Sequence, residues 1–219
     1  MITTAVSQIR PDFRDNRLLQ ILAVWYLLVW IWAAIAPHDR FDWLLENILV
    51  FVFAGVLLKT YRKFPLSDLT YILITIYMTL HTIGSHYTYS EVPFGFWLKE
   101  TLALSRNPFD RIVHFAFGLL LAYPIREIFL RVVNTRGFWT YYLPLDVTMA
   151  FSCLYEIIEA AVVWMVSPEL GDAYLGTQGD VWDAQKDMLL ATAGALLAMI
   201  VTAMVREIYF KGRPAVPAD

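Results

Sequence analysis

Residues 176–205 read GTQGDVWDAQKDMLLATAGALLAMIVTAMV. Three aspartates, Asp180, Asp183 and Asp187, fall within the first twelve of these residues. The next eighteen residues, Met188 to Val205, carry no charged side chain. An uncharged helix of this length is nearly long enough to cross the hydrocarbon core of a bilayer. The stretch therefore predicts a membrane-spanning helix that begins with a group of carboxylates.

The composition extends this prediction to the whole chain. Its 219 residues are 58% hydrophobic and have a mean hydropathy of +0.53, which is typical of a protein with several membrane spans. The net charge of −3 provides no general attraction for nucleic acid, so none is expected as a partner. Membrane lipid is the expected partner, and the sequence identifies no protein partner. The single cysteine, Cys153, excludes an internal disulfide.

Six segments are apolar enough to span a membrane, and each must be helical because lipid offers no partner for an unpaired backbone group. The predicted fold is therefore all-α, a polytopic bundle of six transmembrane helices in one integral-membrane domain over residues 1–219. The spans are expected at about 18–36, 41–58, 66–84, 108–130, 140–166 and 184–207.

The longest predicted loop joins spans three and four, and span three is expected to end at Gly84. This loop places Phe94 and Trp97 beside Lys99 and Glu100. Such a mixture predicts a short interfacial helix, which acts either as a lid over polar residues or only as an anchor.

The basic residues are divided unequally between the two sides of the predicted bundle. Twelve of the seventeen lie on one side: Arg10, Arg14, Arg17, Lys59, Arg62, Lys63, Arg126, Arg131, Arg136, Arg206, Lys211 and Arg213. The other five are Arg40, Lys99, Arg106, Arg111 and Lys186. The positive-inside rule then predicts a multi-pass protein of the bacterial inner membrane with both termini in the cytoplasm.

This orientation brings the histidines and most intramembrane carboxylates to the outer leaflet, although they are scattered along the sequence. Their spacing also groups them, because residues three or four apart share one face of a helix. The pairs with this spacing are Asp110 and His114, Glu156 and Glu159, and Asp183 and Asp187.

One interpretation of this group is a metal-dependent hydrolase or transferase that acts on a lipid or an envelope precursor. Imidazoles and carboxylates are ligands for a divalent metal such as zinc. The expected ligands are His81, His86, His114 and Asp110. The expected catalytic residues are Glu156, Glu159 and Asp187, and Asp187 is predicted to point into the site. The expected substrate-binding residues are Arg106, Arg111, Gln178 and Lys186.

The alternative is a non-enzymatic protein that binds or transports a proton, an ion or a lipid, or that has only a structural role. In that case Glu156 and Glu159 would form salt bridges with Arg111 and Lys186. Asp180 has a simpler interpretation in either class, because an aspartate before a helix accepts hydrogen bonds from its free N–H groups.

Four sequence blocks resemble a known family. They read HTIGSHYTYSEVPFGFW, LSRNPFDRIVHFAFG, YEIIEA and GTQGDVWDAQKDM, and they lie in this order between residues 81 and 188. They are similar to the YjdF-like bacterial inner-membrane proteins, a resemblance that implies a membrane protein without assigning any catalytic residue. The last block also resembles the VanZ-type membrane proteins that are linked to glycopeptide tolerance.

Overall fold

The computed structural model describes residues 12–165, 171, 175 and 177–210. Seven α-helices and no strand occur in this part of the chain. The helices are α1 (Arg17–Ala34), α2 (Arg40–Thr60), α3 (Asp68–His86), α4 (Pro93–Thr101), α5 (Phe109–Ile128), α6 (Trp139–Val163) and α7 (Asp183–Phe210).

The all-helical prediction is confirmed for the described residues. A helix occurs at each of the six predicted spans, and four helices are long and apolar enough to cross a membrane: Arg17–Ala34, Arg40–Thr60, Phe109–Val133 and Asp183–Ile208. The expected end of the third helix at Gly84 is wrong, because α3 continues to His86. Residue 166 and the basic residues Arg10, Lys211 and Arg213 lie outside the described residues.

The helices run so that α1, α3 and α6 finish at the end where α2, α5 and α7 begin, and we refer to it as the carboxylate end. Here the backbone N–H of His38 donates to the carbonyl of His86, which ties the α1–α2 connection to α3. At the opposite end, Glu127 of α5 accepts hydrogen bonds from the hydroxyls of Ser67 and Thr70 at 2.7 and 2.6 Å. Both ends of α3 are therefore fixed by neighbouring elements.

The closest helix pair is α5 and α7, and it depends on two glycines. A Cβ atom at Gly118 would lie 1.8 Å from the carbonyl oxygen of Ala191, and one at Gly194 would lie 2.2 Å from that of Phe115. Ala191 and Ala195 are completely buried in the same contact. Small residues at such a contact let two backbones approach closely, which is the usual basis of helix packing in lipid. The small residues of the opening stretch therefore set the α5–α7 distance.

Gly118→Ala should lower the thermal stability of the detergent-purified protein. The new methyl group meets the backbone of α7, and such overpacking costs about 1–3 kcal/mol, which exceeds the gain of at most about 1 kcal/mol from better helix propensity. Gly55→Ala in α2 is the matched control, because nothing lies within 4 Å of its added Cβ. A thermal unfolding midpoint for Gly118→Ala at or above that of Gly55→Ala would contradict the close contact.

Candidate functional site

A cavity of about 450 Å³ lies at the carboxylate end between α5, α6 and the start of α7. Carboxylates from all three helices and from the connection before α7 line it: Asp110, Glu156, Glu159, Asp180, Asp183 and Asp187. Its size is that of a small-molecule site, but its lining is unusually acidic for one.

Three side chains in and beside this cavity lie close enough together that they could hold a metal ion. Asp110, His114 and Asp187 each offer one ligand atom, and these atoms all lie within 4.8 Å of one another. Asp110 and His114 are four residues apart on α5, and the Nε2 atom of His114 lies 3.5 Å from Oδ1 of Asp110. Asp187 faces them from α7. Because metal–ligand bonds to nitrogen and oxygen are about 2.0–2.2 Å long, small side-chain rotations would bring all three onto one ion.

Two buried carboxylate oxygens of the site have no hydrogen-bond partner among the described residues. They are Oδ1 of Asp187 and Oε1 of Glu156. Asp187 is only 2% exposed. A buried polar atom without a partner costs about 1–3 kcal/mol, and more if it is charged. These two oxygens are therefore acceptors that the described side chains and backbone leave open.

Glu156 and Glu159 are three residues apart on α6, and both line the cavity. The Oε1 atom of Glu156 also lies 3.9 Å from Nε2 of His114. The pair therefore adjoins the three-residue group and can hold or transfer a proton there.

The basic residues of the site are engaged with aspartates. Arg106 is 5% exposed and binds Asp183, while Arg111 binds Asp180. The Nζ atom of Lys186 donates to Asp180 at 2.5 Å, and this bond, with others from the Trp182 backbone and Arg111, lowers the pKa of Asp180 from 3.8 to about 2.

The expected salt bridges of Arg111 and Lys186 with Glu156 and Glu159 are not among the ion pairs of the described residues. Arg111 and Lys186 instead hold the loop carboxylate of Asp180. That carboxylate also accepts a hydrogen bond from the backbone N–H of Trp182, which lies before α7, so Asp180 stabilises the turn that leads into the helix.

Gln178 contacts backbone and not the three-residue group. Its Oε1 accepts from the N–H of Asn107 at 2.9 Å, and its Nε2 donates to the carbonyl of Asn107 at 3.1 Å. Asn107 is completely buried, accepts from the N–H of Phe109 and donates to the carbonyl of Val92. These bonds join the loop before α7, the start of α5 and the segment before α4.

The other two predicted histidine ligands lie outside the three-residue group. His86 packs on Trp32 with ring centroids 4.6 Å apart, and its Nδ1 contacts the carbonyl of Ala33 at 2.9 Å. His81 contacts the hydroxyl of Tyr89 at 2.6 Å through Nδ1. Both rings therefore connect α3 to neighbouring segments.

Glu46 belongs to the surroundings of the site but was not among the predicted site residues. It is 3% exposed, and its two carboxylate oxygens share the hydrogen bond that the hydroxyl of Tyr155 donates. One of these oxygens lies 3.9 Å from Nε2 of His81. The ring of Tyr155 is in turn 6.1 Å from that of His114. The sequence feature that could have identified Glu46 is its position within a predicted span. A charged side chain there is unfavourable in free energy unless it faces the protein interior.

Comparison with known proteins places this chain among membrane proteins. Residues 18–207 match a family described as "Predicted membrane protein (DUF2238)". The chain belongs to this family. It is also 40% identical over 190 residues to a protein of Escherichia coli (strain K12) named "Inner membrane protein YjdF", which covers 85% of this chain and 89% of that protein. No solved structure matches the chain.

The family covers all six predicted spans and all residues of the cavity. The resemblance to the YjdF-like proteins is therefore confirmed, and the chain is an integral membrane protein with an inner-membrane homologue. The family description assigns no reaction, so the chemistry of the site has to come from its geometry.

Gln178→Glu should destabilise the protein if the side chain is a structural connection. The substitution keeps the shape but replaces the Nε2 donor with an oxygen that faces the carbonyl of Asn107. Loss of this bond beside a buried acceptor costs about 1–3 kcal/mol, which should appear as a lower unfolding midpoint. Gln185→Glu, at an exposed position on α7, controls for the added charge. Equal unfolding midpoints for the two variants would contradict the structural role of Gln178 and favour the substrate-binding role expected from sequence.

Proposed function

We propose that the protein is a metal-dependent hydrolase or transferase of the bacterial inner membrane that acts on a lipid or an envelope precursor. The observation that carries the proposal is the buried group of Asp110, His114 and Asp187 with the unpartnered Oδ1 of Asp187. One imidazole and two carboxylates leave at least one position open on a four-coordinate ion, as in catalytic zinc sites.

The ion would act as a Lewis acid on a phosphoryl or acyl oxygen and lower the pKa of bound water. Glu156 or Glu159 would act as the general base, since both line the same cavity and Oε1 of Glu156 lies 3.9 Å from the Nε2 atom of His114. The other glutamate of the pair would accept or return the proton. The nucleophile would then be water in hydrolysis or a substrate hydroxyl in transfer.

The proposed topology has six spans in a single membrane domain, with α4 at the interface and both termini in the cytoplasm. Support for α3 and α6 as further spans comes from their position beside the four more apolar helices. Support for α4 at the interface comes from Phe94 and Trp97, which are exposed and stacked with centroids 5.5 Å apart. The positive-inside distribution then assigns the cavity to the outer leaflet.

Proton or ion transport is the second candidate, and the Glu156–Glu159 pair favours it. Neighbouring carboxyl groups inside a membrane protein are typical of proton pathways. The buried Glu46, Tyr155 and His114 could extend such a pathway into the bundle. Metal content distinguishes the two candidates, because a proton pathway requires no stoichiometric metal.

Purified protein should contain about one equivalent of a divalent metal, measured by elemental analysis. Asp187→Asn keeps the side-chain shape but removes a charged ligand, so its metal affinity should fall by more than about tenfold, since even residues that only support ligands change affinity by 10–100-fold. His114→Ala should have the same effect. Asp146→Asn, at an exposed position on α6, should bind metal like the wild type.

The outcome that contradicts the metal assignment is a wild-type protein without stoichiometric metal after zinc loading. If Asp187→Asn keeps its metal while Asp180→Asn loses it, the loop and not the helix forms the site. Retained unfolding midpoints for the variants would show that the measured loss concerns the site itself.

A reporter fused after residue 219 should give a cytoplasmic signal. Six spans with a cytoplasmic N-terminus return the chain to the side on which it began. Reporter activity that requires a periplasmic location would overturn the orientation and would move the cavity to the inner leaflet.

A further inference from the structure

The floor of the cavity carries two carboxyl groups that pair with no lysine or arginine of the described residues. Among the described residues, Glu156 and Glu159 form no ion pair with a basic side chain other than the 3.9 Å contact of Glu156 with His114. The nearby Arg106, Arg111 and Lys186 bind Asp183 and Asp180. A divalent ion on Asp110 and Asp187 would neutralise those two carboxylates and leave the glutamate pair.

One face of α6 changes from acidic to apolar along the cavity. Glu156, Glu159, Ala160 and Val163 all line it and are spaced as one helical stripe. Trp164 continues the lining at the end of the helix and is 86% exposed. Val181, on the connection before α7, also lines the cavity and is equally exposed. A charged floor is therefore continuous with an apolar rim.

We propose that the cavity receives an amphiphile whose head group carries an ammonium group, with the ammonium at the Glu156–Glu159 pair and the apolar chain across Trp164 and Val181. This proposal rests on the proposed function, which gives a lipid as the substrate, and it adds the chemical class of the head group. The unpartnered, buried Oε1 of Glu156 offers a ready acceptor for the ammonium.

Charge complementarity excludes the opposite class of head group at this position. A purely anionic head group would meet the glutamate pair, while the nearby Arg106, Arg111 and Lys186 are already engaged with aspartates. An amine, in contrast, donates up to three hydrogen bonds and satisfies the acceptors that the fold leaves open. A phosphate next to such an amine would remain within reach of an ion on Asp110, His114 and Asp187.

The test compares two lysolipids with one acyl chain, lysophosphatidylethanolamine and its N-acetyl derivative, which lacks the positive charge. Their affinities for the detergent-purified protein are measured by native mass spectrometry, with the zinc-loaded and the chelator-treated protein. The wild type should bind the free amine about tenfold more tightly, the ratio expected for a hydrogen bond between charged groups. Glu159→Gln should reduce the ratio to about threefold or less.

Asp146→Asn is the matched control, because it removes a carboxylate from the same helix about 20 Å away along its axis from Glu159, and it should keep the full preference. Glu156→Gln provides a second variant if Glu159→Gln does not fold. Trp164→Ala should weaken both lysolipids equally, since it removes apolar contact and no charge.

Equal binding of the two lysolipids, or no binding of either, would overturn the ammonium site. The preference has to persist after chelation, because the glutamate pair and not the ion selects the amine. A preference without stoichiometric metal would leave this inference standing and refute the metal-dependent reaction. Stoichiometric metal without a preference for the free amine would overturn the ammonium site and leave the metal-dependent reaction standing.

Discussion

The close approach of α5 and α7 is the constraint on which the site depends. Gly118 and Gly194 have no side chain at the contact, so each backbone lies against the other. Asp110 and His114 begin α5, and Asp187 lies one turn into α7, so the same contact sets the distance between the ligand atoms. Larger residues at the two glycines would separate the helices by more than side-chain rotation could recover. Packing in the oily part of the bundle thereby determines the geometry of its polar end.

Burying carboxylates at this end of the bundle lowers the stability of the fold, and the carboxylates differ in how far basic partners offset this effect. Asp180 and Asp183 have basic partners, so their charge is largely balanced within the protein. Asp187 and Glu156 retain buried oxygens without partners, which a fold selected for stability alone would replace by apolar groups. The Gln178–Asn107 bonds and the Asp180 ion pairs hold the loop that covers these groups. The aspartates that have basic partners thus hold the loop in place beside Asp187 and Glu156, which have none among the lysines and arginines described.

Sequence was sufficient for the helices because hydrophobic length and breaker residues are local properties. The predicted starts of the spans agree with the observed helices within two residues. Shared depth also placed Asp110, His114 and Asp187 near one another. The depth of a residue in the membrane does not predict which neighbouring helix its side chain faces, because that depends on the rotation of the helix about its axis. His86 therefore faces α1, and Glu46 faces Tyr155, for reasons that only the packing of neighbouring helices provides.

The three aspartates at the start of the last helix make different contacts, depending on how far along the helix they lie. Asp180 precedes the helix, where the Trp182 backbone, Arg111 and Lys186 hold it. Asp183 is 5% exposed and binds Arg106, which lies just before the start of α5. Asp187 follows one turn deeper, where no lysine or arginine of the described residues compensates it. An intramembrane carboxylate without a basic partner is costly in free energy, so Asp187 is the one of the three aspartates whose position stability alone does not explain.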